Sequence, residues 1–324
     1  MPHAIRFHET GGPEVLRWES VTVPPPAAGE VTVRQRAVGL NFIDTYHRTG
    51  LYPLPLPSGL GMEAAGVVEA VGEGVSEFRV GDHVAYAGGP VGAYAEVRNV
   101  PAHRLLPMPA TVDFKTAAAM MLQGLTAAYL LRKTYRVQPG DAVLIHAAAG
   151  GVGLIAAQWA KALGATVIGT VGSEAKAVLA AAHGCDHVIN YSRENFAERV
   201  RDLTGGEGVA VVYDGVGKDT FAGSLDSLRP LGMMVSYGNA SGPVPPVDLI
   251  QLSQKGGLFL TRPTLMHYTT RREDLLARGA ELFEVVSSGQ VRIEVHQTYA
   301  LHEAAQAHRD LEARKTTGST VLLP

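Results

Sequence analysis

The sequence has little cysteine, few aromatic residues and no marked excess of one charge. Cys185 is the single cysteine in 324 residues, which excludes an internal disulfide framework and a zinc site built from several thiolates. Aromatic residues make up 6 % of the chain, and the formal net charge is −3 at pH 7. Because nucleic-acid-binding proteins carry a strong basic field, this charge balance predicts no nucleic-acid partner.

Membrane and export signals are also missing. No apolar run approaches the ~18 residues of a membrane span. Residues 1–6, Met-Pro-His-Ala-Ile-Arg, lead directly into a strand-like segment and lack a signal-peptide core. We therefore expect a soluble, cytoplasmic protein with no membrane partner. Hydrophobic residues make up 46 % of the chain, enough for large cores, and the length favours about two domains.

Residues 142–161 have the pattern of a dinucleotide-binding strand, turn and helix. The apolar run Ala142–Ile145 predicts a buried strand, and a helix rich in Ala, Leu and Ile ends the segment. Between them lie the glycines of a tight turn, Gly150, Gly151 and Gly153. Ala148 stands in the place of the first glycine of G-x-G-x-x-G. Such glycines let the backbone approach a pyrophosphate, and the helix N-terminus offers it free N–H groups.

Two patterns of secondary structure divide the chain. Residues 1–125 hold short strands punctuated by glycine and proline, which predicts a partly open β-barrel or sandwich followed by helical runs over residues 114–122 and 125–133. Residues 126–262 alternate strands with helices, which predicts a doubly wound parallel sheet. Residues 263–324 fall outside this count and are expected to return to the first domain. The six strands of the parallel sheet are expected at residues 142–145, 166–170, 187–191, 209–213, 233–237 and 258–261.

The tip of the second of these strands bears on the choice of cofactor. A unit that prefers NAD carries an acidic residue about 20 residues past the glycines, where it holds the ribose 2′-hydroxyl. The corresponding stretch, Thr170–Lys176, has no acid at the strand tip. Ser173 can cap the next helix, so Lys176 lies in its first turn, where a cation is disfavoured unless a 2′-phosphate is bound. Ser173, Lys176 and Tyr191 therefore favour NADPH, although Glu174 or solvent could balance Lys176 instead.

Several segments carry a family likeness. They are Asn41–Tyr46, Gly50–Pro53, Pro57–Gly66, Gln123–Thr126, His146–Gly153, Gly169–Gly172 and Val212–Gly217. On these segments the chain resembles, over its whole length, the zinc-independent quinone oxidoreductases (the zeta-crystallin-like group) of the medium-chain dehydrogenase/reductase superfamily. The combination of Pro57–Gly66 with the glycine turn is the more specific sign. The chain looks most like the bacterial NADPH:quinone reductases.

The resemblance implies a fold, an assembly and a set of site residues. It implies a GroES-like catalytic domain over residues 1–125, completed by residues 263–324, and a Rossmann NADPH-binding domain over residues 126–262. It also implies a homodimer joined through Rossmann edge strands, for which residues 258–261 are the candidate. The cofactor contacts would fall on Asn41, Tyr46, Tyr129, Gly150, Gly151, Val152, Gly153, Gly172, Ser173, Lys176, Tyr191, Gly238 and Pro263. The catalytic cleft near the nicotinamide would be lined by Asn41, Tyr46, Tyr52 and Gln123.

Two residues bear on whether the chain can bind a catalytic zinc ion. Zinc-dependent relatives place a histidine where Met62 stands and a cysteine where Asn41 stands. Thioether and amide side chains are poor zinc ligands beside imidazole and thiolate. Without that Lewis acid an alcohol has no obvious route to deprotonation. We therefore expect no metal site and no alcohol dehydrogenase activity.

What remains is hydride transfer to an electron-poor acceptor. A quinone, or an enone polarised by hydroxyl and amide donors, fits this chemistry, since the cofactor supplies the hydride. We assign Asn41, Tyr46 and Tyr52 to orienting the acceptor or donating hydrogen bonds to its oxygen. Three functions stay open: an NADPH-dependent quinone reductase, which we favour, an alkenal or enone double-bond reductase, and a non-catalytic dinucleotide-binding protein. His146 is expected to be a buried, hydrogen-bonded residue rather than a catalyst.

Overall fold

The computed structural model describes residues 1–324 and divides them into two compact units. The first unit comprises Met1–Leu125, Thr269–Ser287 and Ile293–Pro324. The second unit comprises Thr126–Tyr268 and Ser288–Arg292. Each unit contains its own main β-sheet and its own hydrophobic core.

Sixteen strands form three sheets. The first eight are β1 (His3–Phe7), β2 (Arg17–Ser20), β3 (Glu30–Leu40), β4 (Ser58–Gly59), β5 (Glu63–Val71), β6 (His83–Ala87), β7 (Val97–Pro101) and β8 (Leu106–Pro107). The next six are β9 (Ala142–Ile145), β10 (Thr166–Val171), β11 (His187–Asn190), β12 (Val209–Asp214), β13 (Leu228–Ser236) and β14 (Phe259–Thr261). The last two are β15 (Val295–Ala300) and β16 (Ser319–Leu323).

Ten α-helices accompany the strands. They are α1 (Phe42–Thr49), α2 (Phe114–Tyr129), α3 (Gly151–Ala162), α4 (Glu174–Ala182), α5 (Phe196–Leu203), α6 (Phe221–Asp226), α7 (Ile250–Gln254), α8 (Leu265–Tyr268), α9 (Arg272–Ser287) and α10 (Ala304–Glu312). None of them combines the length and the apolar character that a bilayer span requires.

The first unit is organised around β3, which pairs with three other strands. It is antiparallel to β5 along most of its length, to β7 along its first half and to β16 at its end. The sheet has the order β15-β16-β3-β5-β6-β8, with β7 added on β3. Apolar residues of β3, such as Val31, Val33 and Leu40, enter the core of this unit. This mostly antiparallel sheet agrees with the partly open barrel predicted for the N-terminal region.

The second unit contains the predicted doubly wound sheet. Its strands are all parallel and have the order β11-β10-β9-β12-β13-β14. Every residue of β12 is buried, as expected for a central strand covered on both faces. The order reverses direction between β9 and β12, and ligands of such folds bind beyond the carboxyl ends of the strands at that point. The predicted parallel six-stranded sheet is confirmed.

One part of the helix prediction is wrong. The two runs expected over residues 114–122 and 125–133 are a single helix, α2, which ends in a π-helical turn over Leu130–Thr134. Gly124 lies inside this helix, where its lack of a side chain allows α2 to pack closely against α9. A β-carbon on Gly124 would lie 2.5 Å from Leu282 Cδ1 of α9. A glycine that looked like punctuation in the sequence is therefore a contact point between two helices of the first unit.

Candidate functional site

Helix α1 begins after Asn41, whose side chain is turned away from the helix. Asparagine at this position commonly accepts a bond from a first-turn N–H group, but the Asn41 side chain makes no cap bond. Its Nδ2 instead donates to Glu63 Oε1 at 2.6 Å, and its Oδ1 accepts from Gln123 Nε2 at 3.2 Å. The Asp44 carboxylate accepts the Asn41 backbone N–H at 2.9 Å. Asn41 is therefore oriented by tertiary contacts and not by the helix that follows it.

Gln123 connects Asn41 to the last strand of the chain. It lies in α2, and its Oε1 accepts from Ser319 Oγ at 2.7 Å. Ser319 begins β16, and its hydroxyl also lies 2.8 Å from the carbonyl oxygen of Ala119. Asn41, Gln123 and Ser319 are all buried. Because water has little access to these groups, their hydrogen bonds are set by one another.

Glu63 is the ionisable end of this group of side chains. Its Oε2 accepts the backbone N–H of Leu122, and the residue is fully buried. It fits because its neighbour across the sheet, Gly39, has no side chain: a β-carbon there would lie 2.1 Å from Glu63 Oε1. Burial raises the pKa of Glu63 to about 8, and the nearby charge of Asp44 adds to the effect, while hydrogen bonds from Leu122 and Asn41 oppose it.

A second group of buried side chains connects α1 to α10. Tyr94 Oη donates to Asp44 Oδ2 at 2.9 Å and lies 3.2 Å from His308 Nε2. Arg48, only 1 % exposed, donates to His308 Nδ1 at 2.9 Å and to both carboxylate oxygens of Glu312 at 2.6 and 3.0 Å. Burial lowers the pKa of His308 to about 3, helped by the charge of Arg48. His308 is therefore neutral, and helix α10 fixes helix α1.

Tyr46 and Tyr52 form the second pair of predicted site residues in the first unit. Their rings meet edge to face with centroids 5.2 Å apart. The Tyr52 backbone N–H donates to the Tyr46 carbonyl at 3.0 Å, so the loop after α1 folds back on the helix. Tyr46 is buried and Tyr52 is half-buried. The four predicted catalytic residues thus form two contacting pairs, Asn41 with Gln123 and Tyr46 with Tyr52. Asn41 directly precedes α1, and Tyr46 lies within this helix.

In the second unit, the glycine turn leaves the N-terminus of α3 open. Gly150 precedes the helix, and no side chain caps its first turn, which begins with Gly151 and Val152. Ala147 takes a left-handed conformation with φ of 51°, which lets the chain reverse between β9 and α3. Unpaired N–H groups and the helix dipole at such an end suit an anionic ligand. The donor set therefore fits the pyrophosphate of a dinucleotide.

The tips of β10 and β11 carry the residues predicted to select NADPH. Ser173 caps α4 by accepting the Lys176 backbone N–H at 3.4 Å, as predicted. A β-carbon on Gly172 would lie 2.6 Å from Tyr191 Oη, so the tyrosine ring covers this glycine. Lys176 is half-buried, whereas Ser173 and Tyr191 are exposed.

Glu174 has two partners that the sequence did not suggest. Its Oε1 lies 2.8 Å from Arg193 Nη1 and accepts from Asn190 Nδ2 at 2.9 Å. These contacts connect the start of α4 to the end of β11. Arg193 was missed by the sequence analysis. Its position two residues after Tyr191, at the tip of the neighbouring strand, was the available signal.

The remaining predicted cofactor residues lie elsewhere in the second unit. Tyr129 stacks on Tyr268 with centroids 4.6 Å apart and planes within 9°. Gly238 follows β13 at a close backbone approach, since a β-carbon there would lie 2.3 Å from the Gly215 carbonyl oxygen. Pro263 is buried two residues past β14. The shared role of these three residues in cofactor binding stays a prediction.

His146 is a structural residue, as expected. It is fully buried, with Nδ1 2.8 Å from Thr170 Oγ1 and Nε2 2.9 Å from Ser224 Oγ. Ser224 also donates to Asp214 Oδ2 at 2.9 Å. Burial lowers the pKa of His146, although the charge of Asp214 opposes the shift. The neutral imidazole ties together the ends of β9, β10 and β12.

Comparison with known proteins identifies two family domains. Residues 27–110 match the family described as alcohol dehydrogenase GroES-like domain, and residues 151–284 match the family described as zinc-binding dehydrogenase. The first match, together with the sheet around β3, confirms the predicted GroES-like fold. The second match begins at Gly151, within the glycine turn, and covers five of the six strands of the parallel sheet.

Three full-length relatives are more specific. The chain is 57 % identical to the quinone oxidoreductase of Pseudomonas aeruginosa, with all of both chains covered. It is 49 % identical to the 2-haloacrylate reductase of a Burkholderia species, covering all of this chain and 99 % of that one. The solved structure of Escherichia coli quinone oxidoreductase complexed with NADPH matches with a TM-score of 0.98 at 52 % identity, covering 99 % of this chain and all of that chain.

Proposed function

The chain belongs to the bacterial quinone oxidoreductases of the medium-chain dehydrogenase/reductase superfamily, and we infer that it catalyses the NADPH-dependent reduction of quinones. The observation that carries this conclusion is the full-length match to quinone oxidoreductases, one of them solved with NADPH. Membership in this family supports both the predicted activity, quinone reduction, and the predicted cofactor, NADPH.

The second unit supplies a suitable cofactor site. When bound, NADPH supplies the hydride that reduces the acceptor. The uncapped N-terminus of α3 would hold the pyrophosphate. Ser173, Lys176 and Tyr191 would bind the 2′-phosphate. Arg193 is a further candidate for this contact, because its side chain is 68 % exposed although it pairs with Glu174.

The first unit supplies hydrogen-bond donors for the acceptor. In the observed arrangement the side-chain oxygens of Asn41 and Gln123 are both occupied by protein donors. Each amide nitrogen donates once within this group and retains a second hydrogen. The pair therefore has donors to offer, which suits the carbonyl oxygen of a quinone. We assign Tyr46 and Tyr52 to the same task, since phenolic hydroxyls can also donate.

The reaction is proposed to proceed without zinc. Asn41 stands where zinc-dependent relatives place cysteine, and its amide is already engaged by Glu63 and Gln123. Met62, at the place of the histidine ligand, offers only a thioether. No three His, Cys, Asp or Glu side chains are grouped as metal ligands would be. The test is activity after dialysis against a chelator, which should equal the activity before dialysis.

Acceptor choice is tested directly by steady-state kinetics. We expect kcat/KM to be higher for 1,4-benzoquinone and naphthoquinones than for 2-alkenals. The second candidate, reduction of a carbon–carbon double bond beside an electron-withdrawing group, is favoured by the 49 % identity to a 2-haloacrylate reductase. A strong preference for 2-alkenals or 2-haloacrylates would select this alternative. NADPH binding without consumption across the whole panel would instead select the non-catalytic dinucleotide-binding protein.

We also propose a cytoplasmic homodimer joined through β14. This strand is an end strand of the parallel sheet, and Phe259 within it is 56 % exposed. An apolar edge strand of this kind is suited to pairing with a second copy. Phe259→Asp should shift the mass measured by light scattering from dimer to monomer. Val178→Asp, which alters an exposed apolar residue on α4, should leave the mass unchanged.

A further inference from the structure

Four buried side chains of the first unit form one continuous line of hydrogen bonds. Glu63 is joined to Asn41 at 2.6 Å, Asn41 to Gln123 at 3.2 Å, and Gln123 to Ser319 at 2.7 Å. At the far end the Ser319 hydroxyl also lies 2.8 Å from the carbonyl oxygen of Ala119. We refer to Glu63, Asn41, Gln123 and Ser319 as the amide chain, because its two central members are primary amides.

The amide chain can be satisfied in two directions. If Glu63 is ionised, both its oxygens accept, so Asn41 Nδ2 donates to it, Gln123 Nε2 donates to Asn41, and Ser319 donates to Gln123. If Glu63 is protonated, one oxygen still accepts the Leu122 N–H and the other must donate. Both amides then rotate by half a turn, and Ser319 accepts from Gln123 and donates to the carbonyl oxygen of Ala119. In either direction each link has one donor and one acceptor.

We infer that Glu63 is a positioning residue whose ionisation sets the direction of the amide chain, and thereby which atom of Asn41 and of Gln123 faces each neighbour. The inference rests on the proposed function for its catalytic meaning, since Asn41 and Gln123 are the proposed acceptor-binding amides. Its physical content, the coupled reversal of two amides, is independent of any activity.

The surroundings of Glu63 place this reversal in an accessible pH range. The carboxyl group is fully buried and fills the space left by Gly39. The titratable groups that face it are Asp44, whose charge disfavours a second negative charge, and Tyr86 and Tyr94, whose phenols stay neutral because burial raises their pKa above the ordinary value. Burial, with the charge of Asp44, raises the pKa of Glu63 to about 8.

The direction of the amide chain changes which side-chain atom of Asn41, nitrogen or oxygen, lies on each side. With Glu63 ionised, the Asn41 nitrogen and its spare hydrogen lie on the Glu63 side. With Glu63 protonated, they lie on the Gln123 side, and the Asn41 oxygen takes the vacated place. A carbonyl acceptor is bound by the nitrogen and repelled by the oxygen. Because the donors proposed for the quinone are those of the ionised direction, wild-type kcat/KM for a quinone should rise by about tenfold as the pH rises through 8, the effect of one hydrogen bond gained.

Glu63→Gln is the matched variant. Its amide can accept the Leu122 N–H through oxygen and donate to Asn41 through nitrogen, as protonated glutamic acid does. The variant should therefore hold the amide chain in one direction at every pH. Its kcat/KM should match that of the wild type at pH 6 and should lack the change across pH 8.

The decisive measurement needs no substrate. Asparagine and glutamine side chains are labelled with ¹⁵N, and the side-chain amide resonances of Asn41 and Gln123 are followed by NMR from pH 6 to 9.5. In the wild type we expect both to shift together with one midpoint near pH 8. In Glu63→Gln they should stay constant, and in Asp44→Asn the joint shift should persist.

Three results would overturn the inference. The first is amide resonances in the wild type that do not move over this range. The second is a joint shift that persists unchanged in Glu63→Gln. The third is a shift that disappears in Asp44→Asn, which would assign the titration to Asp44. If the enzyme reduces no quinone but the wild-type amides shift as expected, the proposed function fails and the amide chain stands.

Discussion

The carbonyl oxygen of Ala147 lies 2.3 Å from the position that a β-carbon on Gly153 would take. Helix α3 therefore approaches the turn so closely that only glycine fits at this point. The neighbouring Gly150 is different, since a β-carbon there would lie 3.2 Å from the same oxygen and its φ of −86° suits other residues. The turn therefore tolerates a β-carbon at Gly150 better than at Gly153.

Gly153→Ala should displace the start of α3 and weaken NADPH binding. Overpacking of this kind costs about 1–3 kcal/mol, which corresponds to a dissociation constant raised roughly 5–150-fold if the strain falls on the binding turn. Gly89→Ala, at a position of the first unit where an added β-carbon would meet nothing within 4 Å, is the control and should bind NADPH as well as the wild type. Fluorescence titration with NADPH measures both, and equal affinities of the two variants would contradict the assignment.

Lys176→Ala should narrow the preference for NADPH over NADH. A charge-assisted bond to the 2′-phosphate is lost, so we expect NADPH affinity to fall about tenfold while NADH affinity is unchanged. Lys161→Ala, on α3 and paired with Asp186, removes a lysine of the same unit as a control. Dissociation constants for both cofactors check this. Wild-type protein that binds the two cofactors equally would refute the role of Lys176.

Asn41→Ala should lower kcat/KM for quinones by about 10–100-fold, because it removes a proposed donor and leaves a buried Glu63 oxygen without its partner. Asn99→Ala is the control within the same unit. Asn99 also makes two side-chain hydrogen bonds, to Thr32 and to the Pro24 carbonyl, but belongs to no proposed site. Its kinetics should match the wild type, and a similar loss in both variants would indicate general destabilisation.

Glu63 should make stability depend on pH. Its ordinary pKa of 4.5 is raised to about 8 in the folded protein, so between these values the folded state holds a proton that the unfolded state has released. The free energy of unfolding therefore falls as pH rises through this window. Glu63→Gln removes the contribution of Glu63 and should be more stable than the wild type at pH 9 by on the order of 4 kcal/mol, with little difference at pH 5.

Urea unfolding at both pH values measures the difference. Glu69→Gln, on the same strand β5 but exposed beside Arg34, serves as the control. It should show no comparable gain at pH 9. A Glu63→Gln variant whose advantage over the wild type does not grow with pH would show that Glu63 is already ionised in the folded protein at neutral pH.

Local pattern was enough to predict the parallel sheet and the glycine turn. The run Ala142–Ile145 and the three glycines after it need only their neighbours in sequence to be interpreted. Gly124 shows where such reasoning fails. The same residue that breaks a helix pattern in the sequence lies inside α2, because its contact with Leu282 comes from a segment more than 150 residues away.

The candidate site was predictable in its members but not in its connections. Asn41 and Gln123 were named through motifs, yet nothing near them in sequence indicated Glu63 or Ser319 as partners. Ser319 meets Gln123 across 196 positions, and Arg48 meets Glu312 across 264. Arg193 was missed for a similar reason, because its pairing with Glu174 joins the tips of two neighbouring strands.

Strand β16 lies between β15 and β3, and it carries Ser319. Because β16 follows β9–β14 in the chain, the parallel sheet can assemble before β16 is made, whereas the hydrogen bonds that orient Gln123 cannot form until then. Before β16 pairs, β3 has an unpaired edge at Val38–Leu40, open to strands of other nascent chains. Deletion of Ser319–Leu323 should consequently harm yield in the cell before it harms cofactor binding.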